Sequence, residues 1–188
     1  MFYVWFPSLR GTDWRIKSPA DDDYQCIAWA AIHTDRCMWP HANYTWFPGA
    51  PIFPGIDPEA ATSDYFVEGF SRIGYKPIGK DRRRWVPGFQ KVAIYATEVG
   101  VSHMARQRLF GRGWLSKAGD CEDFIHRRLE DIEGDVSTLA AAAGSYGIVV
   151  EILRRGWWSA FKYGCASRAF KIAGEMREYR RTHKWDAP

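Results

Sequence analysis

A cysteine is nucleophilic as its thiolate, and a free thiol with a pKa of about 8.5 is mostly protonated at neutral pH. The N-terminus of a helix and a neighbouring imidazolium both lower that value. The sequence offers candidates for each. Cys26 heads the run Cys26-Ile27-Ala28-Trp29-Ala30-Ala31-Ile32, and Asp21-Asp22-Asp23 stand just before it. Acids followed by an apolar, alanine-rich run predict a buried helix, capped by the acids and carrying Cys26 in its first turn. His103 is the leading base. It lies in Val101-Ser102-His103-Met104-Ala105-Arg106, read as a strand whose alternation puts Val101, His103 and Ala105 on one face.

A catalytic imidazole needs a third group to orient it. Ser116 is the candidate on the following strand, with Lys117 and Gln107 as alternatives because sequence does not fix the hairpin register. Lys117 could instead hold a substrate carboxylate or steady the loop before Asp120. Gln25, directly before the thiol, could orient an oxyanion donor, and Tyr24 stands beside it. His126 is expected on a helix, as a supporting group behind the site. Each residue also has a plainer reading, Cys26 as a buried structural thiol and His103 as a satisfied core histidine. No Asp or Asn offers itself as the third member. There is no H-E-x-x-H motif, no paired-cysteine spacing and no glycine-rich loop joining a strand to a helix, so neither metal nor cofactor is expected.

The clearest elements are those that would position His103. Residues 91–96 predict a strand, 101–108 its return, and 114–117 a third run, joined by short glycine-containing turns into an antiparallel meander. Residues 35–58 hold seven prolines and glycines among five aromatic residues and predict a long aromatic loop that shapes a pocket or packs. A helix is expected from Asp57 to about Ile73, and another from Asp120 carrying Phe124, Ile125, Leu129 and Ile132. The run at 148–153 fits strand or helix. From Trp157 onward apolar residues step by three and four, predicting a long amphipathic C-terminal helix. The first 20 residues read as an arm packed across the domain.

At 188 residues, 46% of them hydrophobic, the chain has the size of one domain. Its ten tryptophans promise an aromatic-rich core or a lined groove. The expected division is one domain over 1–153 and a basic helix over 154–188. The second segment holds nine basic and three acidic residues, net +6 against +4 for the whole chain, which would suit an acidic partner, a membrane surface or a nucleic acid. The four cysteines are expected to be reduced thiols. No signal peptide or membrane-spanning run is evident, so the expected location is the cytoplasm, or outside after export without a cleaved signal.

The order of helix-borne cysteine, strand-borne histidine and a polar group on the next strand resembles the papain-like superfamily, in particular the compact cell-wall amidases called NlpC/P60. That resemblance implies an α+β fold in which the cysteine helix packs on a small antiparallel meander. The motifs themselves are similar to an uncharacterised group of small bacterial domains. They are Phe6-Pro7-Ser8-Leu9-Arg10-Gly11, Tyr24-Gln25-Cys26-Ile27-Ala28-Trp29-Ala30, Trp39-Pro40, Lys91-Val92-Ala93-Ile94-Tyr95-Ala96, His103-Met104-Ala105-Arg106-Gln107, Trp114-Leu115-Ser116-Lys117-Ala118-Gly119 and Ile125-His126. The likeness covers about residues 5–153 and implies a shared fold and site without an activity. Two functions are therefore carried forward. One is a cysteine hydrolase acting on an amide or peptide, a size that also suits an effector toxin delivered between bacteria. The other is a non-catalytic binding protein on the same scaffold.

Overall fold

The computed structural model describes residues 6–108, 112–134, 136 and 145–162. Its elements in chain order are β1 (Arg15–Ser18), α1 (Cys26–Ala30), α2 (Ser63–Ser71), β2 (Lys76–Pro77), β3 (Phe89–Ala96), β4 (Val101–Gln107), β5 (Trp114–Lys117), β6 (Asp123–His126), β7 (Ile148–Gly156) and α3 (Trp157–Lys162). The seven strands form one sheet in the order β1-β6-β5-β4-β3-β7-β2, and each neighbouring pair is antiparallel. Among the described residues no helix is long and apolar enough to cross a membrane.

The expected meander is there as β3, β4 and β5, but it is the middle of a larger sheet. The papain-like α+β expectation is overturned: the described architecture is one seven-stranded antiparallel sheet with three short helices, the longest of nine residues. The error has a physical origin. All four residues of β6 are buried, so both faces of that strand are covered and its sequence lacks the polar alternation that marks a half-exposed strand. Residues 120–132, read as a helix, are therefore β6 followed by a short 3-10 turn at Leu129–Asp131. The ambiguous run at 148–153 is strand β7, which continues through Arg154 and Arg155 to Gly156. The arm supplies edge strand β1, while β2 is a two-residue edge closed by Pro77, where a missing N–H is tolerated. In place of the expected long C-terminal helix the described residues hold only the short α3, Trp157–Lys162, and 163–188 lie outside the described residues.

Alternation along β3 divides the interior in two. Val92 and Ile94 face a cluster built on α1, α2 and the aromatic loop, including Trp29, Phe47, Phe66 and Phe70. Ala93 and Tyr95 face a second cluster with Phe6, Leu9, Trp114, Phe124 and Leu129. The strand pairing β3 with β4 carries one extra residue. Tyr95 opposes His103 and Ala96 opposes Val101, so Ser102 has no partner and forms a β-bulge. Val101, expected on the face of His103, is thereby returned to the α1 side with Met104.

α1 has all five residues buried and begins after Gln25, with no acid in its first turn and no side-chain cap. The capping expected of Asp21, Asp22 and Asp23 is absent. The helix closes with a Schellman motif, His33 N–H to Ala28 O at 2.8 Å and Ile32 N–H to Trp29 O at 3.1 Å. Its left-handed position is taken by Ile32 at φ 65°, where glycine is usual. A β-branched residue there costs about 1–2 kcal/mol, offset by the complete burial of its side chain in the core.

Candidate active site around His103

β4, β5 and β6 lie side by side and present His103, Ser116 and His126 to the same face of the sheet. The three form an unbroken string. His103 Nε2 lies 3.0 Å from Ser116 Oγ, Ser116 Oγ lies 3.0 Å from His126 Nε2, and His126 Nδ1 lies 2.6 Å from the carbonyl oxygen of Arg128. All three side chains are fully buried. Burial holds both imidazoles neutral. It takes His126 down to about 4, against the opposing pull of the Arg128 carbonyl and Asp131. It takes His103 well below its ordinary value, with His126 pushing the same way.

Neutrality fixes the direction of every proton in the string. A carbonyl oxygen only accepts, so His126 Nδ1 carries the ring hydrogen and donates to Arg128 O. His126 Nε2 is then a bare acceptor and must receive the Ser116 hydroxyl hydrogen. Ser116 Oγ, its hydrogen committed, accepts from His103 Nε2–H. His103 Nδ1 is left as an unprotonated lone pair, and it is buried without a hydrogen-bond partner. Asp131 secures the far end: its carboxylate accepts from the N–H of Arg127 at 3.0 Å and of Arg128 at 2.8 Å.

Tyr146 covers the imidazole. Its ring stacks on His103 with centroids 3.9 Å apart and planes 10° from parallel. Ser102, the bulged residue, fixes it by donating from Oγ to Tyr146 O at 2.5 Å. Gly147 lets the chain pass close beneath β3. At φ 75° an added Cβ would stand 2.1 Å from Ala96 O, so only glycine fits.

Cys26 belongs to the other core cluster, with Met104, whereas His103 points to the face of Tyr95 and Phe124. No hydrogen bond joins the thiol to the imidazole. The sulfur nevertheless lies against β4, since the backbone N–H of Met104, next to His103, is directed at it. The β4–β5 ladder consists of Arg106 with Leu115 and Gln107 with Trp114, and stops short of Met104. Cys26 also raises the Tyr146 hydroxyl pKa, second to burial, so thiol and tyrosine sense each other. Burial pushes the thiol up to about 11, opposed by the N–H groups of Met104, Ile27 and Cys26 and by the Lys117 charge. The resting pair is thus neutral thiol and neutral imidazole.

The remaining expected residues have other partners. Gln25 Oε1 accepts from Met38 N–H at 3.0 Å and ties the aromatic loop to the start of α1. Tyr24 donates to Asp123 at 2.7 Å. Lys117 donates to Cys121 O and lies 4.6 Å over the Tyr24 ring. Both belong to the α1 side with the buried Asp123, whose carboxyl burial pushes up. Gln107 reaches Arg83 O at 3.4 Å, at the end of β4 away from His103. His126 lies on strand β6, not on a helix, and is bonded directly to Ser116. The sequence reading missed Tyr146 and Asp131. The only available signals were Gly147 after Tyr146 and the i,i+3 spacing of Arg128 and Asp131 that forms a capping box. Among the described residues the carboxylates close enough to share a cation are those of Asp21, Asp22 and Asp23, which are largely exposed and outside the string.

No curated protein and no solved structure matches the chain. Residues 15–154, which include Cys26 and the whole string from His103 to Asp131, match the family described as a domain of unknown function (DUF7689). Since that match spans most of the molecule, the chain belongs to the DUF7689 family.

Proposed function

We propose that the protein is a cysteine-dependent hydrolase of amide or peptide bonds, with Cys26 as nucleophile and His103 as base. One observation carries this reading: the proton string leaves His103 Nδ1 bare, buried and unpartnered while Nε2–H is held by Ser116. A neutral imidazole with one nitrogen clamped and the other free has the form a general base needs. At rest the thiol packs on the α1 face of β4 and the imidazole on the other face. This reading therefore requires Cys26 Sγ to move past β4, beyond the end of its ladder with β5, onto Nδ1. There it would give up its proton and attack the substrate carbonyl. The imidazolium, its Nε2–H still accepted by Ser116, would then protonate the leaving amine as the tetrahedral intermediate collapses to a thioester. Water, deprotonated by Nδ1, releases the acid and restores the thiol. Backbone N–H groups at the head of α1 are the nearest donors for the oxyanion.

The test is acyl transfer from p-nitrophenyl acetate. A burst of p-nitrophenolate with the acetyl group mapped to Cys26 is expected, absent in Cys26→Ala and slowed about 10²–10⁴-fold in His103→Gln. Acetylation of Cys37 or Cys121 instead, or a burst indifferent to His103, would overturn it. The burial of Cys26 and its elevated pKa favour a second reading, a binding protein that does no covalent chemistry. In that case Cys26 would be alkylated by iodoacetamide more slowly than the part-exposed Cys37 and Cys121 at every pH.

A further inference from the structure

A cavity of about 730 Å³ opens in the other half of the sheet, lined by Ile78, Asp81, Arg82, Arg84, Trp85, Val86, Lys91 and Arg154. Four of these side chains are cationic and one is acidic. Among the described residues no carboxylate pairs with Arg82, Arg84 or Arg154. Their neighbour Arg83 is treated oppositely: it turns away and is neutralised by Glu130 at 2.8 Å and Glu133 at 3.0 Å. Arg82 and Arg84 both line the cavity, while the residue between them is directed to the two glutamates.

The segment is built to hold that arrangement. Lys91, 2% exposed, donates from Nζ to Arg82 O at 2.6 Å and also to Arg84 O. Gln107 reaches the intervening Arg83 O. Three consecutive carbonyls are thus fastened by buried side chains of β3 and β4. Arg154 from β7 is braced by its guanidinium lying 4.5 Å over the Phe89 ring. Burial lowers the Lys91 pKa, and the charges of Arg154 and Arg82 lower it further, a sign that the cations crowd one another, with Asp81 as the single acid on the wall. Trp85, 37% exposed, adds an open indole face to the wall.

We propose that this cavity binds a nucleotide, with the phosphates on the guanidinium groups of Arg82, Arg84 and Arg154 and the base stacked on Trp85. Guanidinium forks match phosphate oxygens in pairs, and an indole accepts the π-face of any base. The volume suits one small ligand of that class. The device differs from a glycine-rich loop, because charge comes from side chains and rigidity from Lys91.

Calorimetry on the full chain with ATP, inorganic tripolyphosphate and adenosine tests the assignment. ATP should bind saturably and more tightly than tripolyphosphate, and adenosine should bind weakest. The double substitution Arg82→Ala/Arg84→Ala should weaken ATP at least tenfold, and Trp85→Ala should bring ATP to the affinity of tripolyphosphate. Arg83→Ala and Cys26→Ala should leave ATP binding unchanged, the latter separating this site from the proposed hydrolytic one. No saturable ATP binding, or equal losses in Arg83→Ala and the double variant, overturns the site. Tripolyphosphate binding as tightly as ATP in the unaltered chain overturns the nucleotide assignment.

Discussion

The two halves of the sheet handle ionisable side chains in opposite ways. On β4, β5 and β6, burial removes charge: two histidines are held neutral and a serine relays between them. On β3, β7 and the segment before β3, charge is kept and concentrated, with three arginines at a cavity mouth around one buried lysine. A neutral hydrogen-bonded string is stable only while every member is satisfied, because an unpaired buried polar group costs far more than a bond gains. Solvated guanidinium groups ask little of their surroundings except a partner of opposite sign. One half therefore stores its buried polar groups uncharged, while the other keeps arginines without a carboxylate partner among the described residues.

The contrast can be broken most severely at Ser116. Ser116→Ala leaves His103 Nε2–H and His126 Nε2 both buried without partners, an expected loss of about 2–5 kcal/mol in urea unfolding. A loss under about 0.5 kcal/mol would mean that the string contributes nothing to the fold. Acid comes next. Free imidazoles in the unfolded chain take up protons near pH 6.5, whereas His126 in the folded chain resists until about 4. The unfolded state thus binds more protons across that window, so stability falls as pH drops from about 6.5 to about 4, by on the order of 3 kcal/mol from His126 alone. His103 acts in the same direction. His126→Phe should flatten this limb of a stability profile measured against pH. Tyr146→Leu removes the ring stacked on His103 and should cost about 1 kcal/mol beyond lost burial. The smallest effect belongs to the other half. Arg82→Ala/Arg84→Ala should change stability by no more than about 0.5 kcal/mol, with a gain at low salt that fades as salt rises. A large loss there would show that these arginines are structural after all.

Much of the central geometry was legible because it rests on local signals. The glycine turns and alternating runs mark β3, β4 and β5 and put Ser116 on the strand next to His103, while the choice among Ser116, Lys117 and Gln107 depends on a register that only the folded sheet sets. What the sequence hid was decided by neighbours far along the chain. β6 is covered on both faces, so its residues carry no strand period, and the sequence pattern there suits a helix as well as a strand for His126. Strict alternation puts Val101 with His103, and a bulge does not announce itself in composition. Tyr146 arrives from a segment 43 positions after His103, held by one serine and one glycine that are ordinary in any loop. Lys117 and Gln107, both plausible orienters by position, were drawn instead to Cys121 O and to the arginine segment.

Ser102 gives the bulge a meaning beyond register. Every pairing of β3 with β4 is made without it, so a chain lacking this residue could still knit the same ladder. What it would lose is the clasp to Tyr146 O and, with it, the lid of aromatic carbon over the imidazole. The position that is spare in the weave is the one that ties the cover to the site. Shortening the strand by one stitch there would spare the fabric and undo the button.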